Sequence, residues 1–167
     1  IVGGTPAQAE ALRQRAVDAA MLTHPFEARL VAEGFRLLGY TSDYWADYAF
    51  TTLNVRRDWA EEQADALVAL LRATARAGRW LFEPAHAAEA QAILAQATGL
   101  TTAEVADTYR LYVEQDGVLA REGEISDAGI AAVLDVMREE NLLAAAPAPD
   151  WYVDRTYWLR AQADLLR

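Results

Sequence analysis

Short apolar segments alternate with amphipathic ones over the first part of the chain. Residues 15–22, 35–38 and 48–55 combine aliphatic, aromatic and small side chains in short runs, which predicts strands, and residues 1–2 are predicted as the end of another. Apolar residues at helical spacing predict one helix from Thr5 to about residue 15 and a second from Pro25 to Gly34. The order β-α-β-α-β predicts a parallel sheet with helices on both faces.

The pattern becomes helical after residue 58. Helices are predicted over residues 58–82, 85–97, 101–117 and 126–142, and the capping box of Thr101 and Glu104 marks the start of the third. The apolar residues after Trp151 must pack against another part of the protein. We therefore divide the chain into an α/β segment, residues 1–47, and a return strand followed by a mostly helical segment, residues 48–167.

Thr23 and His24 lie between the predicted strand at residues 15–22 and the helix that begins at Pro25. In open α/β sheets, ligands bind at the carboxyl ends of strands, so these two side chains are candidate ligand-binding residues. Two simpler interpretations stay open at this point. Thr23 can be a local helix cap, and His24 can be a partly buried histidine with a protein partner.

A loop rich in aromatic residues precedes the third predicted strand. Residues 40–48 contain four aromatic rings together with Asp43 and Asp47. These rings can form the wall of a ligand site or a partner surface. Alternatively, they pack back onto the protein while the aspartates face water.

Composition narrows the function classes. A formal charge of −10 and a pI of about 4.6 argue against nucleic acid as a partner, because phosphate binding requires clustered Lys and Arg. The absence of cysteine excludes disulfides, thiolate metal sites and a cysteine nucleophile. With two histidines and no carboxylate pair suited to acid–base chemistry, we predict no catalytic residue, no metal site and no cofactor.

The ordered motifs of the chain resemble one family. They comprise residues 2–4 before a helix, the pair Ala11-Leu12, the run Val17-Asp18-Ala19-Ala20, Pro25-Phe26, and residues 34–38, 50–61, 80–84, 99–101 and 152–154. In this order they are similar to the second half of periplasmic solute-binding proteins of ABC transporters. The similar branch is the nitrate/sulfonate/taurine group, which includes binders of thiamine pyrimidine precursors. Arg15 departs from the pattern, since that branch usually has glycine there.

The resemblance implies an α/β, type II periplasmic-binding-protein-like fold with two lobes, here represented by a C-terminal half with few strands and many helices. It implies a non-enzymatic protein that captures a small polar or anionic solute, such as a sulfonate, nitrate, taurine or a pyrimidine precursor. The implied partner is an ABC permease in the membrane, and the implied location is periplasmic or extracellular. The implied ligand-binding residues face the cleft between the lobes: Gly4, Thr5, Thr23, His24 and Phe26.

The start of the sequence bears on these expectations. The chain opens on Ile1 with no initiator methionine and no signal peptide, so we interpret it as processed or as a piece of a longer protein. A half-fold is expected to expose part of an apolar interface, which makes homo-oligomerisation plausible. Two alternatives stay open: a pyrimidine-precursor synthase-like enzyme of the same fold, and a truncated oligomerisation domain that binds no solute.

Overall fold

A computed structural model describes residues 3–45, 47–115, 119–145 and 148–165. These residues form eight α-helices joined by loops and short 3₁₀ turns. The helices are α1 (Thr5–Arg13), α2 (Phe26–Ala32), α3 (Arg57–Glu62), α4 (Ala64–Leu81), α5 (Ala87–Thr98), α6 (Thr102–Tyr109), α7 (Asp127–Glu139) and α8 (Thr156–Leu165).

The predicted helices are confirmed, with adjusted ends, and residues 116–117 of the helix expected over 101–117 lie outside the described part of the chain. The helix expected over residues 58–82 is divided at Gln63 into α3 and α4. Helix α1 begins at Thr5, but Gly4 occupies the N-cap position and offers no side chain to cap it. The capping box is present as predicted, because the Thr101 hydroxyl accepts from the Glu104 backbone N–H while the Glu104 carboxylate accepts from the Thr101 N–H.

The predicted strands are wrong for the residues that the structure describes. Residues 15–22, 35–38 and 48–55 are neither helical nor paired as strands, and residues 1–2 lie outside the described part of the chain. An extended segment becomes a strand only when a neighbouring backbone pairs with its N–H and C=O groups. Here Met21, Leu38 and Phe50 are 69%, 76% and 71% exposed instead of being covered on both faces. The α/β class is therefore not confirmed, and the described chain is helical.

Small side chains dominate the buried positions. Helix α8 packs along α4, and Leu67 and Ala75 of α4 and Ala161 of α8 are buried. Gly78 lets α4 approach the loop that precedes α7, since a Cβ at this position would lie 2.0 Å from the carbonyl oxygen of Arg121. Helices α5 and α6 also pack together. The buried apolar residues are Ala9, Ala11, Leu30, Ala60, Leu67, Val68, Ala75, Ala90, Val105, Tyr109, Leu134 and Ala161.

Helices α1 and α2 form a pair at the start of the chain. Leu30 of α2 is only 2% exposed and Ala9 of α1 is fully buried, so the pair has an apolar contact of its own. At the C-terminal ends of both helices, the Arg13 guanidinium donates to the Glu33 carboxylate over 2.6 and 2.7 Å. Gly34 then takes a positive φ of 98°, which ends α2 and reverses the chain.

Candidate functional site

The start of α1 lies beside the segment that leads into α2. The hydroxyl oxygens of Thr5 and Thr23 are 3.2 Å apart and share a hydrogen bond. Thr5 is the first residue of α1, and Gly4 precedes it with an extended backbone. The first N–H groups of a helix have no partner within the helix, and they carry the positive end of its dipole. The contact therefore places two hydroxyls next to a region that favours negative or hydrogen-bond-accepting groups.

The side chain of His24 is largely covered by protein and is bonded to Glu27. The Nδ1 atom of His24 is 2.7 Å from Oε1 of Glu27, and the two side chains are only 8% and 15% exposed. The second nitrogen of the ring, Nε2, and the second carboxylate oxygen, Oε2, are both buried and have no hydrogen-bond partner among the described residues. Buried polar atoms normally have a partner, so these two atoms distinguish the pair from an ordinary structural ion pair.

Tyr112 lies in a π-helical turn and is influenced by the charge of Glu27. Helix α6 continues directly into a π-helix, Arg110–Glu114, a rare conformation that is frequent at functional sites. Burial raises the pKa of the Tyr112 hydroxyl, and the negative charge of Glu27 raises it further. Tyr112 therefore lies within electrostatic reach of the Glu27 carboxylate, although 85 positions separate the two residues in the sequence.

Arg29 fixes α2 against the start of α6. Its guanidinium lies 5.5 Å from the centre of the Phe26 ring and donates to Oε1 of Glu104. The other oxygen of Glu104 accepts from the N–H and the hydroxyl of Thr101, over 2.9 and 2.8 Å. The hydrogen bond from Arg29, followed by those from Thr101, lowers the pKa of Glu104 to about 2. This carboxylate is thus ionised and held between two helices.

The sequence-predicted residues lie in one region. Thr5 and Thr23 are in direct contact, Gly4 and His24 are their chain neighbours, and Phe26 begins α2. The alternative that His24 has a protein partner holds for one of its two ring nitrogens.

Two neighbouring groups were missed from the sequence. Glu27 was detectable, because a residue three positions after His24 at a helix start lies on the same face of the helix. Tyr112 was not, because it lies in a π-helical turn and its electrostatic link to Glu27 joins distant parts of the chain.

Among the described residues, no three or more His, Asp or Glu side chains are grouped so that they could hold a metal ion. Among the same residues, no helix combines the length and the apolarity that a membrane crossing requires.

The aromatic loop forms a separate feature. Trp45 lies between Tyr44 and Tyr48, with ring centres 6.2 and 5.9 Å away. Tyr44 is 75% exposed, so this part of the loop does not pack onto the protein as one of the sequence interpretations proposed. Asp47 accepts a hydrogen bond from the Ser126 hydroxyl at the start of α7, over 2.6 Å. No described contact connects these rings to the His24 region.

Comparison with known proteins relates this chain to a wider family. One curated relative is the nitrate/nitrite binding protein NrtA of Synechococcus elongatus, which is 34% identical over 84 residues. That match covers 48% of this chain and 18% of the relative, so the aligned part is less than a fifth of the relative's length. No solved structure matches the chain.

The family comparison covers more of the chain. The model of the NMT1-like family matches residues 1–95, which include α1 to α4, most of α5 and every sequence-predicted site residue. The match and the resemblance found in the sequence agree on the same branch of proteins. The chain therefore belongs to the NMT1-like family.

Proposed function

We propose that this chain is part of a non-enzymatic solute-binding protein that serves an ABC importer and captures a small polar or anionic solute. Membership of the NMT1-like family and the similarity to a nitrate/nitrite binding protein support this proposal. The observation that carries it is the contact between the Thr5 and Thr23 hydroxyls, which joins the start of α1 to the His24 segment. The proposed partner is a membrane permease, and the proposed location is periplasmic or extracellular.

The proposed ligand contacts are Gly4, Thr5, Thr23, His24 and Phe26. The backbone N–H groups at the start of α1 offer donors to an oxygen-bearing group of the solute, and so does whichever of the two hydroxyls accepts the bond between them. The imidazole of His24 adds a polar group, and the Phe26 ring offers an apolar wall. Each is a binding function, and none requires a covalent step.

The test is a thermal-shift titration of the whole protein with nitrate, sulfonates, taurine and pyrimidines. We expect at least one probe to raise the melting temperature, because a ligand that binds only the folded state stabilises it by about 2.7 kcal/mol at 100 times its Kd. Thr23→Val should reduce that shift, since it removes the hydroxyl and keeps the shape. The matched control is Thr51→Val on an exposed loop residue, which should retain the shift. If no probe raises the melting temperature, the proposal fails.

A further inference from the structure

The Phe26 ring is the one apolar side chain among the proposed ligand contacts, and Arg29 lies over it. The Arg29 guanidinium is 5.5 Å from the centre of the ring, which is within the range of a cation–π contact. The two residues are three positions apart in α2, so their side chains lie on the same face of the helix. The ring therefore has a charged partner within its own helix, and this partner restricts the orientations that the ring adopts.

The backbone joins Phe26 to the pair of threonine hydroxyls. The N–H of Phe26 donates to the carbonyl of Thr23 over 3.0 Å. The hydroxyl of Thr23 is in turn 3.2 Å from that of Thr5. Phe26 itself is half-buried. One turn of the chain thus connects the ring to the contact on which the proposed function rests.

Glu104 holds the Arg29 side chain in its position over the ring. Its Oε1 accepts from Nε of Arg29, and its other oxygen accepts from the N–H and the hydroxyl of Thr101. The Arg29 and Glu104 side chains are 40% and 20% exposed. Because an arginine side chain has many rotamers, a partner that fixes the guanidinium also fixes the plane that lies over the ring. Glu104 lies outside residues 1–95, so this group comes from beyond the part of the chain that the family model matches.

We infer that Arg29 and Glu104 are positioning residues of the proposed site. Glu104 fixes the Arg29 guanidinium, and the guanidinium holds the Phe26 ring in the orientation that receives the apolar part of the solute. This inference rests on the proposed function. A ring that is ordered before the solute arrives loses less conformational freedom on binding, so the affinity is higher than for a ring that the solute must order. Neither positioning residue needs to touch the solute.

The first measurement follows the ring without any solute. A single 3-fluorophenylalanine at position 26 of the whole protein reports on the ring by fluorine NMR. In Glu104→Gln we expect the resonance to move toward its position in the urea-unfolded protein, because the released Arg29 no longer holds the ring. Glu122→Gln is the matched control and should leave the resonance unchanged. Glu122 accepts from Arg79 over 2.7 Å, and the two side chains are 33% and 41% exposed.

Titration calorimetry with nitrate, taurine, ethanesulfonate and uracil measures the consequence for binding. For a probe that binds the wild type, Arg29→Met should weaken the affinity about threefold or more, since methionine lacks the cation that orders the ring. In the Phe26→Leu protein, the same Arg29→Met change should alter the affinity by less than about 1.5-fold, because no ring remains to be positioned. A merely structural contribution of Arg29 would weaken binding equally in both backgrounds.

The outcomes separate the two proposals. If a probe binds and Arg29→Met weakens its binding equally with and without the Phe26 ring, or leaves it unchanged, the positioning role is overturned while the solute-binding function stands. An unchanged fluorine resonance in a Glu104→Gln variant that circular dichroism shows to be folded overturns the role as well. If no probe binds at all, the proposed function itself is overturned, and the inference with it.

Discussion

Residues 48–55 and helix α4 have a similar content of apolar residues, but α4 buries some of them whereas residues 48–55 leave theirs largely exposed. In α4, Leu67 is 3% exposed, whereas in the other segment Phe50 and Leu53 are 71% and 57% exposed. A helix satisfies its backbone hydrogen bonds within its own residues, so α4 forms from 18 consecutive positions and then buries one face. An extended segment depends on a second backbone, and here Ala49 donates to the carbonyl of Gly129 over 3.2 Å without a ladder following. The hydrophobic periodicity of a sequence therefore predicts helices more reliably than it predicts strands.

The largest loss of stability expected from this comparison follows from truncating the buried Leu67. Leu67→Ala should destabilise the protein by about 3 kcal/mol, because it removes packed methyl groups and leaves a cavity. The matched variant Leu53→Ala should change the free energy of unfolding by less than about 0.5 kcal/mol, since its side chain is mostly in water. Urea unfolding of both variants measures the difference. Equal losses would show that residues 48–55 are packed in solution, which would contradict the contrast.

A smaller effect is expected at Gly78. Replacing a glycine inside a helix by alanine normally stabilises it by about 1 kcal/mol. Here the new Cβ would lie 2.0 Å from the Arg121 carbonyl oxygen and 3.1 Å from its carbonyl carbon, so the backbone must shift. We expect Gly78→Ala to destabilise the protein by about 1–3 kcal/mol in the same urea experiment.

The neighbouring position gives the control for Gly78. Ala77 is exposed on the same helix, and Ala77→Gly should cost only about 1 kcal/mol, the ordinary propensity difference. A stabilised Gly78→Ala variant would mean that α4 and the 121–122 loop are not in contact in solution.

The smallest effect depends on pH and involves Glu104. The pKa of this carboxyl is lowered from 4.5 to about 2 in the folded protein by Arg29 and Thr101. A depressed pKa contributes stability that is present above the ordinary value and is lost as the pH falls toward the folded value. Glu104→Gln should therefore be less stable than the wild type at pH 6, and the difference should shrink between about pH 4.5 and pH 2. Thermal melts across this range measure it, and a difference independent of pH would contradict the assignment.

Features that depend on local geometry and features that depend on a distant partner also differ in how far they could be predicted. The start of α6 was predictable because Thr101 and Glu104 act through local geometry, and the end of α2 because Gly34 permits a positive φ. The strand assignment of residues 15–22 failed, because a short apolar run does not specify what pairs with it. Arg15 has a φ of 56°, so the chain reverses where a strand was expected to begin.

The same distinction applies to the site. Thr23 and His24 were selected because they follow an expected strand, yet the structure places them beside α1 without that strand. The choice of these two residues therefore did not need the sheet, because their place just before the start of α2 is enough to bring Thr23 beside α1. The burial of Nε2 of His24 and Oε2 of Glu27 could not be predicted, because a local sequence pattern does not show which other parts of the chain cover a side chain.

Glu104 has a mechanical consequence that reaches beyond its effect on stability. One oxygen of its carboxylate holds Arg29 of α2 and the other holds the first residues of α6. A sliding motion of α2, the helix that carries Glu27, must either stretch the contact with Arg29 or pull on the cap of α6. The carboxylate thus couples the two helices mechanically, so a displacement of α2 is transmitted to the start of α6.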